Sequence, residues 1–229
     1  MSAALRGISS MATRLLLAEL AAAYRQRTGT AVQIESVGGV DAARRVQAGE
    51  AFDLVLLAAD AIDQLVAGGA VVPGSKVDLV HSPVAVAVRA GAPVPDLSSE
   101  DALRRAVEAA TSIGYSTGPS GTALLRLFER WGLAAALQPR LVQAPPGVPV
   151  GSLVAGGAAA LGFQQLSELI HLSGITVAGA LPEPVQIVTT FCGAACRTSA
   201  QPEAVGRLLA YLASPEADAA KRRHGMDPA

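Results

Sequence analysis

The chain has 229 residues, of which 51% are hydrophobic, 16% charged and 3% aromatic, and 18 Lys and Arg against 19 Asp and Glu leave a net charge of −1. That apolar content supplies a sizeable core and excludes a disordered chain, and the balanced charge offers no surplus of cations for a nucleic-acid partner. Every apolar run is broken by charge, Gly or Pro before the roughly 20 residues of a spanning helix, so no membrane insertion is expected.

Taken in order, short apolar runs alternate with longer helical patterns, the rhythm of βαβ units. The opening MSAALRGISS lacks a charged segment, a long apolar run and a cleavage site. As written, the chain is expected in the cytoplasm; a chain trimmed of its signal peptide belongs in the periplasm. Residues 5–9 read as a strand, and Ser10 or Thr13 can cap the helix that follows. Leu16, Leu20 and Tyr24 recur at fourfold spacing along that helix, which stops near Thr28-Gly29. Residues 31–36 are the next strand, Gly38-Gly39 a loop, and 42–48 a helix with Asp41 at its start. The run 52–58, apolar apart from Asp53, suits a parallel strand buried on both faces. A helix over 60–67 stops at Gly68-Gly69.

A different stretch begins at His81. Residues 83–89 read as a strand, and a helix opened by Ser98-Ser99-Glu100-Asp101 runs through Ala110. A strand over 112–116 leads into a loop over 117–122 and a helix over 123–131. After a brief strand at 141–143 and a Pro/Gly loop at 145–149, residues 150–155 form a short helix. Strands are expected at 158–163, 174–177 and 185–191, with a helix starting over 164–169. Two closing helices cover 201–213 and 215–223.

The sequence holds no GxGxxG after a strand, no GxxxxGK[ST], no HExxH and no GxSxG. Cys192 and Cys196 form CGAAC without a second ligand pair, so no metal and no other cofactor is expected. Two readings of the pair stay open: small buried thiols near a strand end, or a disulfide in an oxidising compartment. The sequence does supply polar or Gly-rich loops at the carboxyl ends of predicted strands. They are Ser9-Ser10, Gly38-Gly39, 116–122, 145–150 and Gln164-Gln165. In open α/β sheets ligands bind outside those ends. Three of the loops run into helix N-termini, where free N–H groups favour an anion. Each loop alone reads as caps and turns; five at the same end of two sheets point to a shared anion pocket.

LRGISS before a helix, ESVGGVDAARRVQAG and FDLVLLAAD resemble the opening of the molybdate-binding-protein-like group of type II solute-binding proteins. SIGYSTGPSGTALLRLFERWGL, LGFQQLSEL and LLAYLASPEADAAKRRHGM are similar to later segments of that group, so the likeness spans essentially the whole chain. The resemblance implies an α/β, two-lobed type II periplasmic-binding-protein fold with a ligand cleft between the lobes. Lobe I would be 1–80 plus 192–229 and lobe II 81–191, with hinges near 81–82 and 190–191. It implies a ligand-binding set of Ser9, Ser10, Gly38, Gly39, Ser120, Gly121, Thr122, Gly147, Gln164 and Gln165, with no metal and no catalytic residue. The partners it implies are a small oxyanion or organic carboxylate and an ABC permease. Two positions depart from the group: Gly38-Gly39 replaces a Ser hydroxyl, and Gln165 stands where a Tyr closes the molybdate site. Amides both donate and accept, which suits a polycarboxylate or hydroxy-acid better than a bare dianion. The resemblance thus implies a solute-binding protein. Its alternative is an isomerase like aconitate isomerase, which shifts a double bond in a small tricarboxylate. That reaction needs a base, and His81 and Glu168 are the nearest titratable candidates, neither within a motif.

Overall fold

The computed structural model describes residues 4–229; residues 1–3, at the start of the expected first lobe and of the opening MSAALRGISS, lie outside the described residues. In chain order the elements are β1 (Leu5–Ser10), α1 (Arg14–Thr28), β2 (Val32–Val37), α2 (Gly39–Gln47), β3 (Leu54–Ala58), α3 (Ala59–Ala67) and β4 (Val77–Arg89). Then come α4 (Glu100–Ala109), β5 (Ile113–Tyr115), α5 (Pro119–Arg130), α6 (Ala134–Leu137), β6 (Leu141–Gln143), α7 (Val150–Ala155) and β7 (Leu161–Gln165). The chain closes with α8 (Leu166–Leu169), β8 (Ile175–Ala180), β9 (Val188–Ala195), α9 (Pro202–Ala213), α10 (Asp218–Arg223) and β10 (Asp227–Pro228). Among the described residues no helix is long and apolar enough to cross a membrane.

The chain divides into two compact units, one running up to His81 and resuming at Thr190–Ala229, the other Ser82–Thr189. β4 and β9 carry the chain from one to the other. In the first unit β1 pairs in parallel with β2 and β3, and β9 returns antiparallel to β3, giving the order β2-β1-β3-β9. β3 is buried at every position. Leu54, Leu56 and Ala58 pack with the leucines of α1 and α9, whereas Val55 and Leu57 pack with Ile62 and Val46 of the opposite layer. This is the alternation a strand imposes when both faces are covered. α1 buries Leu16, Leu17, Leu20 and Tyr24 and ends on Gly29 at φ 75°, a left-handed turn that favours glycine.

In the second unit β5 lies between β6 and β7, all parallel, and β4 runs antiparallel to both β7 and β8. Val84, Val86, Ile113, Leu161 and Phe163 form its core with Leu103, Leu124 and Phe128. The ring of Phe128 meets that of Phe163 edge-on at 6.2 Å.

Several elements differ from the sequence expectation: α6 and β10 have no counterpart in it, α2 starts at Gly39 and not at 42, β9 covers Val188–Ala195 and not 185–191, and three further differences follow. β4 starts at Val77, not at Pro83, because Leu79 and Val80 already sit in the first unit's core; a proline reads as a strand start, yet only its N–H is missing. α5 starts at Pro119, and β7 runs through Gln165, both with consequences for the site. The cysteines follow the first of the two readings, buried thiols near a strand end. Cys192 lies inside β9 and Cys196 one residue beyond it, bridging Val71. Four residues of strand span about 13 Å, far more than the Cα separation of about 4–7 Å that a disulfide tolerates. Both thiols are free and buried, and the disulfide alternative falls.

Cys192 donates to Asp78 Oδ1 at 2.9 Å. Burial pushes each thiol from the ordinary 9.0 to about 12, with Asp78 adding to the effect at Cys192. The unfolded chain therefore loses these protons first. The stability gained by keeping the thiols neutral is complete below about pH 9 and is lost as pH rises from there towards 12. The urea midpoint is expected to fall between pH 8.5 and 10.5 in the wild type, values chosen about the ordinary thiol range. It should fall less in the Cys192→Ala/Cys196→Ala double variant, and parallel curves would contradict this account.

Candidate functional site

At the carboxyl edge of the first unit's sheet, β1 and β2 end level, with Ser9 opposite Ser36 and Ser10 opposite Val37. The Ser9 hydroxyl is already engaged, lying 2.8 Å from Ser36 Oγ and 3.2 Å from the Ser10 carbonyl. Neither Ser10 nor Thr13 caps the helical segment that follows; Thr13 Oγ1 instead donates to the Ser10 carbonyl. Ser10 is 8% exposed and its Oγ has no hydrogen-bond partner. A buried hydroxyl left unpaired costs about 1–3 kcal/mol, so this atom is positioned to receive something from outside the chain. Gly38 precedes α2 and Gly39 opens it. A Cβ at Gly39 would lie 3.7 Å from Ser10 Cβ, and one at Gly38 would meet nothing within 4 Å, so open space borders the helix start. The first-turn N–H groups of α2 have no intrahelical main-chain acceptors; in α3 the Ala61 N–H is already taken by Asp60 Oδ1 at 2.9 Å. On the same unit, His81 Nδ1 lies 3.0 Å from Thr190 Oγ1.

At the corresponding edge of the second unit, Ser120, Gly121 and Thr122 are the first turn of α5 rather than a loop. Pro-Ser-Gly-Thr has turn composition, but proline at the first helical position costs no hydrogen bond. The Thr122 N–H is already spent on the Gly118 carbonyl at 3.2 Å, leaving those of Ser120 and Gly121 to face outward contacts. Ser116 and Ser120 pair through their hydroxyls at 3.0 Å. Gly147 is exposed and has φ 78°, a conformation that the Pro145–Val148 turn imposes and glycine accepts.

Gln164 and Gln165 belong to β7, not to a helix start, because both pair with β4. Each amide is engaged inside the protein. Gln164 Oε1 accepts from the Val150 N–H at 2.7 Å and so caps α7 from a neighbouring strand. With its amide oriented to satisfy both ends, Gln165 Oε1 accepts from the Thr189 hydroxyl at 2.7 Å and Nε2 donates to the Ser82 carbonyl at 2.9 Å. It thereby ties together the second unit's ends of β4 and β9.

The structure thus gathers Ser9, Ser10, Gly38 and Gly39 on one sheet edge, and Ser120, Gly121 and Thr122 at one helix start. Ser116 joins the latter through its hydroxyl. Ser167, 5% exposed in α8, carries a second buried hydroxyl without a partner. A lone Ser between apolar residues offers no sequence signal for such a role. The candidate residues are all neutral, so an anion held by them would be held by dipoles alone. Among the described residues no cluster of three or more His, Cys, Asp or Glu could hold a metal ion.

Residues 5–227 match a family described as bacterial extracellular solute-binding protein. The chain is 42% identical over 216 residues to a Pseudomonas protein named aconitate isomerase, covering 92% of this chain and 82% of that one. Its fold matches the periplasmic molybdate-binding protein of Azotobacter vinelandii with a TM-score of 0.81 at 22% identity, over 97% of this chain and 98% of that chain. It also matches the sulfate-binding protein of Mycobacterium tuberculosis with a TM-score of 0.79 at 16% identity, over 99% and 87% of the two chains. At these identities the structural likeness establishes the fold, that of the two-lobed α/β type II binding proteins, as the resemblance in the sequence implies.

Proposed function

The chain belongs to the bacterial extracellular solute-binding proteins, and within that family we propose that it binds a small unsaturated tricarboxylate and isomerises it. One observation carries the reading: 42% identity to a protein named aconitate isomerase, spread over 92% of this chain. Neutral donors suit such a ligand, since the Ser10 hydroxyl and the first-turn N–H groups of α2, all on the first unit, can each receive a carboxylate oxygen. The amides of Gln164 and Gln165 have protein partners and lend this ligand class no support.

A second reading is a solute-binding protein without turnover, taking an oxyanion or carboxylate to an ABC permease. The shared fold of the molybdate- and sulfate-binding proteins favours it. Proton NMR of cis-aconitate incubated with micromolar protein separates the two. Conversion to the trans isomer over many turnovers is the expected result, and the Ser10→Ala variant should bind the acid about tenfold more weakly, the worth of one hydrogen bond to a charged group. Binding by calorimetry without conversion would favour the second reading. Tight molybdate or sulfate binding with no aconitate binding would overturn the first.

A further inference from the structure

We infer that His81 is the group that moves the proton in this isomerisation, with Thr190 holding its ring; the inference rests on the isomerase reading. His81 is the last residue of the first unit on β4, and Thr190 is the first residue of that unit on β9, 109 positions away. Phe191 pairs with Ala58, the last residue of β3, so Thr190 lies one step past the carboxyl end of β3. That is the edge at which β1 ends in the unpartnered Ser10 hydroxyl and at which α2 and α3 begin. One unit therefore brings to one sheet edge an imidazole, an unpaired buried donor and two helix starts.

The His81–Thr190 contact has the form of a base and its orienting partner. A hydroxyl accepting from Nδ1–H fixes the tautomer that leaves Nε2 bare. Among the described residues Nε2 has no hydrogen-bond partner, and the ring is half-buried. The other titratable candidate, Glu168, lies on the four-residue α8 and already has a partner in the fold.

The chemistry balances with these groups alone. In a tricarboxylate with one carbon–carbon double bond, the C–H bond of the methylene next to that double bond breaks. Its proton passes to Nε2. The electron pair spreads over the three-carbon allyl unit and its carboxylates, where the Ser10 hydroxyl and the helix-start N–H groups stabilise it. Nε2 then returns the proton to the far allyl carbon, a new C–H bond forms there, and the double bond has moved. Nothing is oxidised or reduced. A planar allyl intermediate can be protonated to either geometric isomer.

The test uses the full chain with cis-aconitate as probe, following isomerisation and allylic deuterium incorporation in D2O. His81→Gln is expected to lower kcat by about 10²–10⁴-fold, the usual worth of a positioned base, with binding of the acid by calorimetry within about threefold of wild type. Thr190→Val should lower kcat by roughly tenfold at unchanged KM, and Thr190→Ser should restore most of it. Should His81→Gln fail to fold, nitrogen NMR of the wild type labelled at histidine decides: Nδ1 of His81 is expected to carry the proton, and the opposite tautomer overturns the assignment. A folded His81→Gln with kcat near that of wild type overturns the role of His81 and leaves the isomerase reading standing. A wild type that binds the acid but never exchanges its allylic protons overturns the isomerase reading, and the inference with it.

Discussion

Gly121→Ala is expected to destabilise the protein by about 3 kcal/mol, at the upper end of what overpacking costs. Gly121 is buried in the first turn of α5. A Cβ there would sit 1.9 Å from the Ser116 carbonyl oxygen and 2.9 Å from its carbon. Those are main-chain atoms, so no flexible tip can swing aside, and ordinary contact requires the helix start to back away by more than 1 Å, a distance comparable to the whole tolerance of a binding site. Backing away breaks the Ser116–Ser120 hydroxyl pair and re-aims the Ser120 and Gly121 N–H groups. Lower stability and weaker ligand binding should therefore appear together. Chemical denaturation and calorimetry measure the two; a midpoint within about 0.5 kcal/mol of wild type, the scatter of surface substitutions, would mean the close approach is not rigid.

Asp218→Ala is expected to cost about 2 kcal/mol, because it strands a buried cation. The Lys221 side chain is 1% exposed, and its Nζ lies 3.3 Å from Asp218 Oδ1. The Asp218 side chain is 25% exposed, so water already offsets part of the charge and the figure falls below that for fully buried pairs. Lys221→Met removes the cation while keeping the packing and should be close to neutral. In the Lys221→Met background, Asp218→Ala should then cost little. Equal losses in both backgrounds would show that Asp218 acts through the start of α10, and not through Lys221.

What the sequence discloses divides by range. β3 is legible because five consecutive apolar residues fit only a strand covered on both faces. α1 is legible because Leu16, Leu20 and Tyr24 keep helical spacing up to Gly29. Local preference misleads at Gln164-Gln165, good helix formers that pairing with Ala85 and Val84 draws into β7. It misleads again at Pro119–Thr122, where turn composition hides a helix start. The candidate edges are legible as Ser- and Gly-rich loops, since backbone approach and free N–H groups leave a local mark. The pairings His81–Thr190, Gln164–Val150 and Gln165 with Ser82 and Thr189 leave none. Each joins residues far apart in the chain, and no local pattern encodes which distant atom a side chain will meet.

The amide of Gln165 makes three positions inherit one another's changes. Both ends of that amide are used, by Ser82 on β4 and Thr189 on β9, and the side chain is 3% exposed. Leucine at 165 alone would strand the Ser82 and Thr189 hydroxyls, 3.0 and 2.7 Å from that amide, whereas replacing both hydroxyls along with it leaves only the Ser82 main-chain carbonyl to satisfy. Natural drift and laboratory selection face the same arithmetic. A saturation library at position 165 would consist largely of weakened chains whatever their ligand preference. A library that varies positions 82, 165 and 189 jointly would keep the two passages between units matched, and could explore new ones.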